Sequence, residues 1–224
     1  FMPSVGFTLL VAYFFDKWYN RQKILILLPS LLIFLAMSAK TIARNTVWKD
    51  DFTLFTTDVK TSVNSAKVLN AAGGSLIDRA KNEENHYLKA KYLQEAEVHL
   101  TKAIEIHPTY QNAYLLLGNA YYYQKKFEKA IEVFLHLTKI LPEFEQGKQN
   151  LAVSYREAGK YLGEEKGDLR GSLKFLENAI QMLPEDYEAN RLYGIANALS
   201  GNLKVALKHF QKCIELDPQN AGAY

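Results

Sequence analysis

Hydrophobic residues follow two regimes along this chain. Met2–Phe15 carries no charge, and neither does Ile24–Ala39, which reads ILILLPSLLIFLAMSA. Extended by Thr41, Ile42 and Ala43 around Lys40, the second run reaches the roughly 20 residues that span a bilayer, and Pro29 is tolerable there because neighbouring groups can re-satisfy the freed carbonyl. From Arg44 onward, apolar positions recur three and four residues apart among Lys, Glu, Asn and Tyr, the period of amphipathic helices. The pattern predicts an all-α protein: two transmembrane helices over residues 1–43, then a helical array. Trp18 and Tyr19 stand where an aromatic belt is expected. A secretory signal peptide explains neither the double run nor the lack of a small-residue cleavage site.

The prolines set the period of the array. Pro108 to Pro142 spans 34 residues, Pro184 to Pro218 again 34, and Pro142 to Pro184 spans 42. A period of 34 with Tyr114, Leu117, Gly118, Tyr121, Ala130, Phe134 and Pro142 follows the tetratricopeptide pattern, another aromatic replacing its tryptophan. The same reading places Gly194, Gly201, Ala206, Phe210 and Pro218 in a later repeat, and Leu151, Ala152, Tyr155, Leu176, Ala179 and Pro184 in the longer one between. The expected α-solenoid occupies residues 66–224, with repeats at 66–110, 111–144, 145–186 and 187–220 and a further one starting at 221. Enlarged inter-helix loops are expected at Glu83–Lys91 and Gly159–Gly171. Small residues such as Gly118 and Gly194 let paired helices approach, and large ones such as Tyr121, Phe134 and Phe210 fill the gap to the next pair. Stacked pairs make a concave surface lined by first helices. On it, Asn112, Asn119, Tyr122, Tyr123, Arg156 and Arg191 are the candidate contacts to a protein or extended peptide, amide side chains suiting a ligand's backbone.

Charge and composition narrow the function. The formal net charge is only +3, and no cluster of Lys and Arg marks one face, which argues against a nucleic-acid partner. Cys213 is the single cysteine; at a small site of a second helix it reads as packing. His86, His99, His107, His136 and His209 lack metal-ligand spacing, so no metal is assigned. Lys17, Arg21 and Lys23 between the apolar runs favour a cytoplasmic loop and extracytoplasmic repeats, periplasmic or lumenal, although Lys40, Arg44 and Lys49 nearly balance them. A first residue Phe1 and a last residue Tyr224 at the start of another repeat read as an internal piece of a longer protein.

Between the regimes, residues 44–65 form a junction with Arg44, Asn45, Trp48, Asp51, Leu54 and Phe55, followed by Ala66, Lys67 and Asn70. Phe55 and Val63 occupy the spacing of a second helix's Phe and Pro, so the segment reads as a degenerate half-repeat. This motif, after a membrane segment and before tetratricopeptide repeats, resembles the transmembrane and tetratricopeptide repeat-containing O-mannosyltransferases and their bacterial relatives. The opening Met2-Pro3-Ser4-Val5-Gly6-Phe7 also resembles a stretch late in that family's membrane region. The resemblance implies the C-terminal part of a polytopic membrane glycosyltransferase that uses a lipid-phosphate-linked sugar, with repeats presenting a protein acceptor. The acidic catalytic residues it implies lie in an early extracytoplasmic loop without counterpart here, so no catalytic residue and no cofactor is assigned. Whether the whole protein is an enzyme stays open; the alternative is a non-enzymatic membrane-anchored scaffold. Asp50 and Asp51 admit an acid/base or metal reading and, more simply, a helix-capping one. Arg44 admits pairing with a lipid phosphate or interfacial anchoring beside Trp48.

Overall fold

The computed structural model describes residues 2–19 and 23–220, excepting the side chains of 2–7, 15, 18–19 and 23–26. Among them all regular structure is helical. The chain divides into two compact units, residues 1–54 and 55–224, and the boundary falls inside the stretch read as a junction. In the first unit, α1 spans Met2–Tyr19 and α2 spans Lys23–Asn45, followed by a 3-10 turn at Thr46–Lys49. Leu27–Lys49 is the one segment of the described residues long and apolar enough to cross a membrane, and none of it is buried within the protein. The expected belt side chains of Trp18 and Tyr19, the loop residue Arg21 and the repeat start at 221 lie outside the described residues. Helix α3, Asp51–Asp58, begins at the cap Asp50, whose Oδ1 accepts from the Thr53 N–H at 2.7 Å.

The second unit is a series of helical hairpins. Their helices are α4 (Ala66–Lys81) with α5 (His86–Ile106), α6 (Gln111–Tyr123) with α7 (Phe127–Ile140), α8 (Glu145–Glu164) with α9 (Leu169–Met182), and α10 (Tyr187–Leu199) with α11 (Leu203–Leu216). Four starts are capped by side chains: Ser65 accepts from Val68, Asn85 from Tyr87 and Leu88, Asp168 from Gly171, and Asp186 from Ala189. Such caps satisfy amides that the first turn leaves without intrahelical partners. Pro108, Pro142, Pro184 and Pro218 each stand two residues past the end of a second helix, where a proline excludes helical continuation. That fixed phase is the physical origin of the 34-residue spacing.

Each hairpin closes on one small–large contact. A Cβ added to Gly118 would lie 2.5 Å from Phe134 Cε1, one on Gly194 2.6 Å from Phe210, and one on Gly73 2.5 Å from Leu100. The glycine is the eighth residue of its helix in all three. Around the Gly118–Phe134 contact, Tyr114, Phe127, Ile131, Phe134, Leu137 and Leu151 form a buried cluster.

The long repeats depart from expectation. No enlarged loop follows α8; instead α8 has 20 residues where α6 and α10 have 13. Seven extra residues are close to two turns, so the helix keeps its buried face. The close contact simply moves two turns along, from Ala152 to Gly159, whose added Cβ would lie 2.6 Å from Leu176. The first hairpin does the same in its second helix: α5 has 21 residues against 14 in α7, α9 and α11, and it begins at His86, inside the stretch read as loop.

Between hairpins, one side chain repeats a task. Tyr114 Oη donates to the Pro108 carbonyl at 2.9 Å, and Asn190 Nδ2 donates to the Pro184 carbonyl at 3.0 Å. Both residues lie six positions after their proline.

Candidate peptide-binding groove

The first helices of successive hairpins lie side by side. α4 touches α6 and α8 touches α10, while Asn150 Nδ2 on α8 donates to Asn119 Oδ1 on α6 at 3.1 Å. The outward face of this row is the candidate groove, and its residues can be placed one by one.

Asn112 is exposed in the first turn of α6, and Asn119 is half-buried in the amide pair with Asn150. Tyr122 is less available than its position suggested. Its ring packs against the buried cluster, edge-on to Phe127 at 5.8 Å and to Tyr123 at 5.4 Å, and burial pushes its phenol above the ordinary range. Tyr123 is 38% exposed, with Lys81 Nζ 5.4 Å from its ring centre, a cation–π arrangement. Tyr121 lies off the groove. Its hydroxyl donates to Glu97 Oε1 at 3.1 Å, and burial together with that carboxylate pushes its pKa up to about 12.

Both candidate arginines are engaged within the protein. Arg156 Nη1 donates to Asp186 Oδ2 at 2.7 Å, and its Nε and Nη2 donate to Glu157 Oε1 at 3.1 Å. Arg191 donates from Nε and Nη2 to the two oxygens of Glu188 at 2.8 and 2.7 Å. Burial alone would depress the Arg156 pKa; its carboxylate partners raise it. For Arg191 the hydrogen bonds it donates to Glu188 dominate and raise it. Asp186 therefore serves twice, capping α10 with one oxygen and holding α8 with the other. Arg156 ties neighbouring hairpins together across the floor of the groove.

Sequence reasoning missed three elements. Asn150 was unmarked, although an Asn–Asn pair is what adjacent first helices allow. Asn190 was unmarked, although its distance from Pro184 matches that of Tyr114 from Pro108. The third is apolar: a cavity of about 180 Å³ lined by Gly159, Lys160, Leu176, Leu192, Ile195 and Leu199, among others, where α8 overhangs α10. Leu199 is 68% exposed and is the thirteenth residue of its helix, as Tyr123 is of α6. That shared register was the available signal.

Arg44 and Asn45 end α2, Trp48 is 67% exposed in the 3-10 turn, Asp51 opens α3, and Leu54 and Phe55 are half-buried within it. Among the described residues no group of three or more His, Cys, Asp or Glu is placed to hold a metal ion.

Comparison with known proteins agrees with this geometry. Tetratricopeptide-repeat sequence profiles match residues 87–153 and 164–221. The protein O-mannosyl-transferase TMTC3 of Homo sapiens is 25% identical over 233 aligned residues, covering 100% of this chain. The chain carries tetratricopeptide repeats and is a homologue of these proteins. It spans 24% of the length of TMTC3. Drosophila melanogaster Tmtc2 is 34% identical over 87 residues, 38% of this chain and 9% of its own. Among solved structures, MamA from Desulfovibrio magneticus RS-1 superposes with a TM-score of 0.52 at 17% identity, covering 84% of this chain and 96% of its own. At that identity the likeness concerns the fold alone.

Proposed function

We propose that this chain is part of a membrane protein O-mannosyltransferase in which the repeats hold the protein acceptor while a lipid-phosphate-linked sugar is consumed elsewhere in the same polypeptide. The observation that carries the reading is the similarity to TMTC3 along the whole chain, apolar segments and junction included, and not only along its widely shared repeats. In this reading α1 and α2 both cross the membrane, the loop between them is cytoplasmic, and the repeats lie in the periplasm or lumen. Asn112, Asn119 and Tyr123 contact the acceptor, with Tyr122, Arg156 and Arg191 shaping the groove behind them. The polar, amide-bearing floor favours backbone recognition of varied extended segments.

The test uses the full-length protein in membranes, supplied with a polyprenyl-phosphate-linked mannose and protein acceptors. Transfer of mannose to protein, lost on deleting residues 66–220, is the expected result. Absence of transfer, with partner proteins still retained on the repeats, would overturn the transferase reading in favour of an anchored scaffold. Topology is read independently by placing a cysteine at exposed Lys204 in a Cys213→Ser background. An impermeant thiol reagent should label it only from the extracytoplasmic side.

A further inference from the structure

The two halves of the groove differ in chemistry because α8 is longer than its neighbour. Its two extra turns meet different surroundings on their two flanks. Toward α6 and α7, the Tyr161 ring packs at a tilt against Phe127 at 5.7 Å, and Lys125 Nζ reaches Oε1 of Glu165, the residue just past α8, at 3.1 Å. Toward α10, which ends at Leu199, they leave the cavity of about 180 Å³. Its walls are Leu176 of α9 and Leu192, Ile195, Ala196 and Leu199 of α10 against the backbone of Gly159 and Gly163. Ile195 and Leu199 stand one and two turns beyond Arg191 on the same helix face, so the cavity continues the groove from its polar half.

Size and charge together restrict what enters. The volume is well below the roughly 300–1,000 Å³ of sites that take drug-sized molecules, so it suits one side chain rather than a sugar-lipid or nucleotide. The nearby cations are neutralised within the protein, Arg156 by Asp186 and Glu157 and Arg191 by Glu188. The rim contributes one charge of each sign, Lys160 and Glu164. With three positive groups against four negative ones, these charges nearly cancel, and no strong field selects an acidic or basic segment.

We infer that the groove takes an uncharged, extended peptide segment whose single Leu-, Ile- or Phe-sized side chain fills the cavity between α8 and α10. The remainder of the segment lies over Tyr123, Asn119 and Asn112. The inference rests on the acceptor-binding reading of the groove and adds its specificity.

Fluorescent eleven-residue peptides of Gly, Ser, Ala and Thr, differing only at the central residue (Ala, Leu, Phe, Asp or Lys), test it by anisotropy on the full chain. Leu and Phe peptides should bind roughly 10- to 50-fold more tightly than the Ala peptide, and Asp and Lys peptides no better than Ala. Raising salt from about 50 to about 500 mM should change the affinities less than about twofold, since no exposed ion pair is formed. In Leu199→Asp the Leu-to-Ala ratio should collapse to about one, whereas Asn119→Ala should weaken all five peptides and keep the ratio. Leu199 is largely exposed, so an unchanged circular dichroism spectrum and melting point verify that the variant folds. If no peptide binds, the groove reading and this inference fall together. If peptides bind but the Leu preference is absent, survives in Leu199→Asp, or yields to a preference for Asp or Lys, this inference falls and the groove reading stands.

Discussion

Gly118 shows how little room single positions leave. The eighth residue of α6 faces the fully buried Phe134 ring, and even a methyl group there would displace it. Gly118→Ala should cost about 1–3 kcal/mol by overpacking, read as a fall of roughly 3–10 °C in the thermal midpoint. Gly167→Ala is the control: its φ of +67° carries a strain of about 1–2 kcal/mol, but nothing lies within 4 Å of the added atom. An equal loss in both variants would sink the packing account. Lys125 makes the opposite case. It holds φ +57° in the α6–α7 turn, where the α10–α11 turn has Gly201 at φ +82°. The left-handed region costs a side-chain-bearing residue about 1–2 kcal/mol, and the exposed Lys125–Glu165 pair, with Lys125 Nζ also 5.9 Å from the Tyr161 ring centre, returns at most about 1 kcal/mol. Lys125→Gly should therefore stabilise the protein by ~1 kcal/mol or slightly less in urea unfolding, and a destabilised variant would contradict the strain argument.

At the scale of elements, helix length is the variable that distinguishes the repeats. Deleting Lys160–Gly167 removes eight residues, restores the 34-residue spacing, and brings Gly159 and Asp168 to the places that Gly201 and Asn202 hold before α11. The shortened hairpin should fold, with Leu176 closing on Ala152 as the face repeats every two turns. Deleting only Lys160–Glu164 rotates the downstream chain by roughly 140° about the helix axis and should lower helix content in far-ultraviolet circular dichroism. Equal behaviour of the two deletions would show that register does not matter. The spacing of repeats was legible because proline ends a helix at a fixed phase. The length of α8 was not, because Gly159 and Gly163 have poor intrinsic helix propensity and read as a turn. Their use emerges only in three dimensions, where Gly159 admits Leu176 and a Cβ on Gly163 would come within 3.0 Å of Ser172 Oγ. The candidate groove face was named by the same measure: helix faces derive from the period, which is how Asn112, Asn119 and Tyr123 came to be read as candidate contacts. The engagement of Arg156 was hidden, since Asp186 is 30 residues away and meets it only once α8 and α10 are neighbours.

For the whole molecule, protonation links these sites to stability. Burial lowers the pKa of His99 below its ordinary 6.5 despite Glu95, with Lys102 adding to the fall. Burial and Lys208 lower that of His209. The geometry around His209 fixes its tautomer: Asn190 already donates its amide protons to the Pro184 and Asp186 carbonyls, so His209 Nδ1 donates to Asn190 Oδ1 at 2.8 Å. Below pH 6.5 the unfolded chain takes up these protons before the folded one, so stability must fall as pH drops through that value. A second loss sets in below about 4.5. For Glu97, burial alone would raise the pKa, but hydrogen bonds from Lys126, Gln124 and Tyr121 leave it lowered. Glu188 is lowered chiefly by its hydrogen bonds from Arg191. On the alkaline side the sign reverses: with Tyr121 raised from 10 to about 12, the unfolded chain loses its proton first, and stability falls as pH rises above 10. Burial also raises the Cys213 thiol above its ordinary 9.0, so thermal midpoints measured from pH 4 to pH 11 should form a plateau from about 7 to about 9 with a shoulder near 6.5. In His99→Gln/His209→Gln the shoulder should vanish while the limb below 4.5 remains. A shoulder that persists in the double variant would assign it to other groups and refute the burial argument for these two histidines.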